Sequence, residues 1–378
     1  AATCSNGQLD GTETAQDCGG GSCAPCGAGL ACAVHLDCQS ANCVAAVCGA
    51  PLTITPSDIA ADLAAAAIGV GVTVTSADFT GGSGACGTYV NGPLGLADGV
   101  LCTNGSAALA APPNADVGAG ADLQALGNAL CNEIVPNVSS HDATVLSLVV
   151  DLDSAADGIQ FSFVVGSEEY PEFVGSAFND VVGVFINGTN VALDQAGNEI
   201  SINGPFFSGT TVITETQSEY DGATPRLLGH APVTSTTGVT IDIVVCDASD
   251  YILDTGVFVA DIKACEGSCD AVVTWCGDGA WDDKTEACDD GNNDAGDGCN
   301  NACEVEDGYT CTGAVGAQSV CVQGGDPDQD NDGIPDATDN CPTTANPGQE
   351  NADSDSHGDA CDACVDDPAK IEVGLCGC

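Results

Sequence analysis

The chain has 378 residues, of which 56 are acidic, 4 are basic and 25 are cysteine, giving a formal net charge of −52. Every contact to a phosphate needs a lysine or arginine, so this balance argues against nucleic acid and anionic membrane as partners. The longest apolar stretch, residues 64–74, is broken by glycines and falls well short of the roughly 20 residues that cross a bilayer, so no membrane insertion is expected.

The cysteines point to an oxidising compartment. Zinc sites need paired ligand spacings, and only Cys23 with Cys26 and Cys361 with Cys364 offer one, so the cysteines read as disulfides in a secreted or surface-exposed protein. The small residues that open the chain at Ala1 read as the start of a mature product after signal cleavage. Cysteine density divides the chain, with 8 in residues 1–50, 4 in 51–264 and 13 in 265–378. We expect an N-terminal cysteine-rich module at 1–50, a core-building domain at 51–268, a second cysteine-rich module at 269–323 and a calcium-wrapped segment at 324–378. Modules of about 50 residues bury too little surface to fold on apolar packing alone and need disulfides or metals. The odd count at the C-terminal end leaves one thiol for a bond to a neighbouring subunit or for a missing partner.

In the first module four disulfides account for its order, and Asp10, Glu13 and Asp17 read as isolated surface acids rather than a calcium site. Residues 51–268 read as mainly β. Alternation is clear at Leu146, Leu148 and Val150, at Phe161, Phe163 and Val165, and at Ile241, Ile243 and Val245, with Asn-Gly turn pairs at Asn187-Gly188 and Asn203-Gly204. Two short helices are expected, one capped by Ser57 with Ile59, Leu63 and Ala67 on its inner face, the other burying Leu123, Leu126 and Leu130. The fold class is therefore a central two-sheet β-sandwich with short helices, flanked by small disulfide-rich and calcium-wrapped modules.

The run VGSEEYPEFVGSAFND, from Val165 to Asp180, resembles the choice-of-anchor L domain of bacterial surface proteins. The resemblance implies an exported domain joined to different surface anchors in different proteins, with no established catalysis. Glu168, Glu169 and Glu172 are the best catalytic candidates, but adjacent strand residues point to opposite faces, so Glu168 and Glu169 are not expected to flank one bond. Glu168, Glu169, Asn179 and Asp180 suit a structural calcium site or a hydrogen-bond network. The four histidines fall in separate contexts, with His230 read as a surface residue, and there is no nucleophile elbow, zinc-protease or phosphate-loop motif. No enzyme is expected.

Residues 276–321 carry six cysteines among acidic, glycine-rich turns and resemble a cysteine-rich repeat of myxobacterial exported proteins. Asp289, Asp290, Asn292, Asp294 and Asp297 concentrate oxygen donors in one turn, a candidate calcium site. Further on, two 12-residue runs place oxygens at the positions a calcium loop uses. Counting from 328 they are Asp328, Asp330, Asp332, the Ile334 carbonyl, Asp336 and Asp339; counting from 351 they are Asn351, Asp353, Asp355, the His357 carbonyl, Asp359 and Asp362. These loops resemble thrombospondin type 3 repeats, which implies chain wrapped around Ca2+ with little apolar core. The tail ending Cys376-Gly-Cys378 reads as leading into further chain.

Together these features predict a secreted, non-enzymatic, calcium-stabilised structural protein of the cell surface or matrix that polymerises into fibres or a layer. The alternative is an adhesin whose sandwich binds glycan or a surface protein near Tyr89, Tyr170 and Tyr220.

Overall fold

The computed structural model describes residues 4, 9, 13–20, 23–32, 37–38, 43–44, 47–115, 118–136, 139–194, 196–209, 211–214, 216–249, 251–267, 269, 272–282, 286–292, 296–300, 303–306, 308–323, 340–341, 343–344, 346, 348–353, 357–365, 367–368 and 370. The chain is 36% strand and 9% helix, a mainly β protein, as the alternation predicts. It forms two compact units, Ala1–Cys276 and Gly277–Cys378.

In chain order the first unit contains β1 (Cys43–Val44), β2 (Val47–Cys48), β3 (Thr53–Pro56), α1 (Ala60–Ala67), β4 (Val72–Thr80), β5 (Cys86–Val90), β6 (Gly99–Thr103), α2 (Ala129–Ile134), β7 (Ser140–Leu152) and β8 (Gly158–Ser167). It continues with β9 (Val181–Ile186), β10 (Thr189–Asn190), β11 (Ile200–Ser201), α3 (Pro205–Ser208), β12 (Gly222–Ala223), β13 (Leu227–Pro232), β14 (Val239–Ala248), β15 (Thr255–Cys265) and β16 (Val272–Trp275). One antiparallel sheet runs β16-β13-β8-β15-β6-β5-β3, with β12 added to β8; the other runs β10-β9-β14-β7-β4, with β11 added to β9. The larger sheet thus extends to Val272–Trp275, which pairs with Leu227–His230.

The two sheets close on one apolar core. Leu146, Leu148 and Val150 from β7, Phe161, Phe163 and Val165 from β8, and Ile241, Ile243 and Val245 from β14 all lie in it, so the alternating residues of the sequence are the inward face. The outer faces are covered as well. Val164, Leu101 and Phe258 on the far side of the larger sheet pack with Tyr89 and Tyr220, and Val145, Phe185 and Val244 on the far side of the smaller one pack with Cys131 and Ile134 of α2. Strands buried on both faces read as continuous apolar runs, which is why Val164 adds an outward apolar residue to the inward set Phe161, Phe163 and Val165.

The helices depart from expectation. Helix α1 forms after Ser57 with Leu63 and Ala67 buried as expected and Ala64 buried with them, but its N-cap is Ile59, 60% exposed, and Ser57 sits two residues before the helix cap, its Oγ accepting the Ile59 amide at 3.2 Å. No helix spans 123–128; Leu126 is 87% exposed, and the short α2 starts after Asn128, whose Oδ1 accepts the Leu130 amide at 2.9 Å. The reason is Asp142, a residue of β7 with φ of 39°, whose carboxylate accepts the Leu123 amide at 3.0 Å and the Ala125 amide at 2.5 Å. Those amides are satisfied in an extended loop and have no call for helical carbonyls. Asn187-Gly188 makes the expected β9–β10 turn, both residues at positive φ, whereas Asn203-Gly204 leads into α3, with Gly204 at its N-cap.

Disulfides join Cys4–Cys23, Cys18–Cys26 and Cys38–Cys48 in the first module. Cys86–Cys102 and Cys131–Cys246 lie in the sandwich, and Cys265–Cys269 follows it. In the second unit Cys288–Cys299 closes the segment before a hairpin of β17 (Tyr309–Thr312) and β18 (Val320–Gln323), Cys311–Cys321 crosses that hairpin, and Cys341–Cys361 ties the segment beyond. Cys364 is also disulfide-bonded, while Cys376 and Cys378 lie outside the described residues.

Candidate metal centres and the buried acid network

Where the strand ends of the sandwich meet the loops, a chain with almost no basic residues buries a group of carboxylates. Asp180, Glu169 and Asp247 are all under 4% exposed, and so is Asn104. Asn104 is fixed by its Oδ1, which accepts the Thr255 amide at 2.7 Å. That leaves its Nδ2 to donate to Asp180 Oδ2 at 2.7 Å and to Asp247 Oδ1. The other Asp180 oxygen accepts the Ala248 amide at 3.2 Å, and Glu169 Oε2 accepts the Asp180 amide at 3.3 Å. Burial, and then the charge of Glu169, push the Asp180 carboxyl well above the usual carboxylate range.

Glu168 belongs to a different group. Its Oε2 accepts the Ala119 amide at 3.2 Å, while its Oε1 is buried and meets no hydrogen-bond donor. Burial, followed by the charges of Asp221, Glu219 and Asp254, raises it to about 8. Asp254 takes the Ser106 and Ala121 amides at 3.0 and 2.8 Å, and Glu219 takes the Ala115 amide with both oxygens. Burial lifts Asp254 to about 6. Glu168, Asp254 and Glu219 therefore act as acceptors for the backbone amides of Ser106, Ala115, Ala119 and Ala121, which lie outside any strand ladder. Asn179, the fourth residue singled out in the motif, accepts the Asn203 amide at 2.8 Å and so closes the loop that follows β11.

Other expectations need correction. His230 is 3% exposed inside β13, not a surface residue, because β13 is an interior strand of the larger sheet. Tyr89 and Tyr220 are 2% exposed and packed edge-on to Phe258, so neither offers a ring face as a sugar platform, while Tyr170 is half-buried and packs toward Phe207. Tyr251, which composition gave no reason to single out, is 45% exposed beside His141, with ring centroids 4.2 Å apart. It borders an open groove of about 630 Å³ with Asp122, Gln124, Leu126 and Asn132.

In the second unit Asp289 is fully buried and its carboxylate is the acceptor for the amides of Gly277, Asp278, Gly279 and Gly291 at 2.8–3.2 Å. Asp290, next to it, is 9% exposed, and neither of its carboxylate oxygens meets a donor in full hydrogen-bonding geometry, although the amides of Asn292 and Cys299 and the carboxylate of Asp297 lie toward it. Asp297 Oδ2 accepts the Asn292 side-chain amide at 2.9 Å. Asp294 lies outside the described residues. Glu286, Asp289 and Cys303 also converge, but Cys303 is in a disulfide and supplies no thiolate.

The first calcium-type loop, from Asp328 to Asp339, and Asp355 of the second lie outside the described residues. In the second loop Asp359 Oδ1 accepts the Ala352 amide at 2.7 Å and Asp362 Oδ1 the Cys364 amide at 2.7 Å, which shapes the chain into tight turns. Around it Asn340, Asn346 and Gln349 bond one another, and Gly358 donates to the Asn340 carbonyl at 2.9 Å. Among the described residues from 340 onward the buried apolar side chains are those of Cys341 and Cys364. Amide networks, a disulfide and a donor set of oxygens alone fit a hard cation in kind.

Comparison with protein families finds the choice-of-anchor L domain over residues 53–262 and a thrombospondin type 3 repeat over residues 319–349. The second match contains the whole first loop and ends just before the second. No curated protein matches the chain. Thrombospondin type 3 repeats are calcium-binding in general, and both matches fit a surface-associated, disulfide-rich extracellular protein. No helix among the described residues is long and apolar enough to cross a membrane.

Proposed function

The chain belongs to the choice-of-anchor L domain family, and from that premise we propose that it is a secreted, non-enzymatic structural protein of the cell surface or matrix. It binds calcium through the two loops at 328–339 and 351–362 and assembles with copies of itself into fibres or a layer. The observation that carries the assembly reading is the edge of the smaller sheet. Strand β4 spans nine residues and, among the described residues, pairs with β7 alone. Edge strands are ordinarily guarded by lysine, proline or brevity. The sequence VTVTSADFT has neither lysine nor proline and a single charge, Asp78; its register against β7 shifts between Val74 and Ser76, and the backbone groups of its outer edge on either side of that irregularity are open to an extended segment from a neighbour. A contact of one end with another surface of the next copy builds an open-ended chain.

Electron microscopy and sedimentation of the secreted material test this reading. Wild type is expected to form fibres or sheets, and Thr73→Lys with Thr75→Lys, two exposed positions of β4, to give single particles whose sandwich still melts cooperatively, within a few degrees of wild type given the loss of the Thr75 hydroxyl bond to the Val149 carbonyl. Single particles from the wild type count against it. Catalysis has its own check: Glu168 and Glu169 engage separate partners, and any turnover abolished by Glu169→Gln would revive a hydrolase.

The groove beside Tyr251 supports a second reading, an adhesin for glycans. An exposed aromatic ring bordered by Asp122, Gln124 and Asn132 has the mix of flat apolar face and polar rim that saccharides engage. A glycan array separates the two, with binding lost in Tyr251→Ala favouring the adhesin.

A further inference from the structure

In the second unit Asp289 and Asp290 are neighbours in sequence with opposite fates. Four backbone amides converge on Asp289, so the fold supplies N–H donors where it buries a carboxylate for structure alone. It supplies none to Asp290 in full bonding geometry, although that side chain is nine-tenths buried: the amides of Asn292 and Cys299 lie toward it but offset less than burial costs its charge. An ionised carboxylate in that position needs a compensating positive charge or a proton. Asp290 lines a cleft of about 390 Å³ together with Asn292, Asp297, Gln318 and Ser319. Burial, and next the charge of Asp297, hold its carboxyl above the ordinary range, so the two acids act on one another across this space. Residues 277–323 hold eleven acidic side chains and one basic, Lys284, which lies outside the described residues.

We infer that this cleft binds a divalent cation of the calcium type, with Asp290 and Asp297 as carboxylate ligands and Asn292 as an amide ligand. Oxygen donors select a hard cation, and the nearby sulfur of Cys321 is in a disulfide and unavailable to softer metals. Asp289, singled out with them by spacing, is not a ligand: its oxygens are taken by amides. The site is separate from the two C-terminal loops and borders the start of β18, so its occupation would hold Asp290 and Asp297 beside Gln318–Cys321.

The test is calcium titration of the full chain by calorimetry with a count of equivalents bound. Asp290→Asn, which keeps the shape and loses the charge, is expected to bind one equivalent fewer than wild type. Asp297→Asn, at an exposed position where folding is not at stake, is expected to weaken the same equivalent by about tenfold or more. In both variants calcium should protect the 324–378 segment from protease as it does in wild type. The same number of equivalents at unchanged affinity in both variants overturns the inference, whatever the C-terminal loops do.

Discussion

Asn104 donates both hydrogens of its side-chain amide outward to two buried carboxylates, Asp180 and Asp247, because its carbonyl oxygen is held by the Thr255 amide. One neutral side chain thus links β6, the start of β9, the end of β14 and the start of β15. In a chain with so few cations this amide does the work a lysine or arginine does elsewhere.

Replacing Asn104 by Ala strands those two carboxylates without their shared donor. Breaking a buried polar arrangement from one side costs about 3 kcal/mol or more. The sandwich is therefore expected to melt roughly 6–12 °C lower by calorimetry; a shift under 1 °C would show that the carboxylates find other partners.

Stability should fall with alkaline pH through Glu168. Its ordinary value is 4.5 and burial raises it to about 8, so the folded chain holds the proton more tightly than the unfolded one. The contribution is whole below 4.5 and is lost as pH rises through 8. Asp254, lifted from 3.8 to about 6, acts in the same direction. Glu168→Gln mimics the protonated acid: at pH 8.5 it should melt several degrees above wild type, and at pH 4 the two should coincide.

The disulfides of the sandwich should differ in worth. Cys131–Cys246 closes a separation of 115 residues and Cys86–Cys102 one of 16. On chain entropy, removing the first as a double alanine variant costs about 5 kcal/mol and removing the second about 3. Urea unfolding of both variants measures the order, and the reverse order would mean that packing at the cysteines outweighs the loop they close.

Calcium removal should act locally. The sandwich rests on an apolar core, whereas the described residues from 340 onward bury little beyond Cys341 and Cys364. Chelator should speed proteolysis within residues 324–370 severalfold while the main calorimetric transition of the sandwich stays in place. Equal resistance with and without chelator removes calcium from the account of that segment.

Much of the sandwich was legible because apolar periodicity is a local signal. Leu146, Phe161 and Ile241 announce their strands through neighbours two residues away, and Asn187-Gly188 announces its hairpin through its own backbone preference. The misread parts share one cause, a partner far off in sequence. The apolar spacing of Leu123, Leu126 and Leu130 suggests a helix until Asp142 claims the loop amides, and His230 reads as exposed until β13 is seen between β8 and β16. Tyr89 and Tyr220 cannot be told from exposed rings without Phe258 beside them.

By itself the sequence determined chemistry: an acidic, disulfide-stapled, mainly β chain with two oxygen-rich loops of calcium spacing, all properties of composition and of residues within a dozen positions of one another. Only the tertiary structure decided which acids are buried and what each accepts. It gave Glu168 and Glu169 their different partners and told Asp289 from Asp290, because whether a carboxylate meets an amide, another carboxylate or open water depends on strands and loops that the chain brings together from far apart.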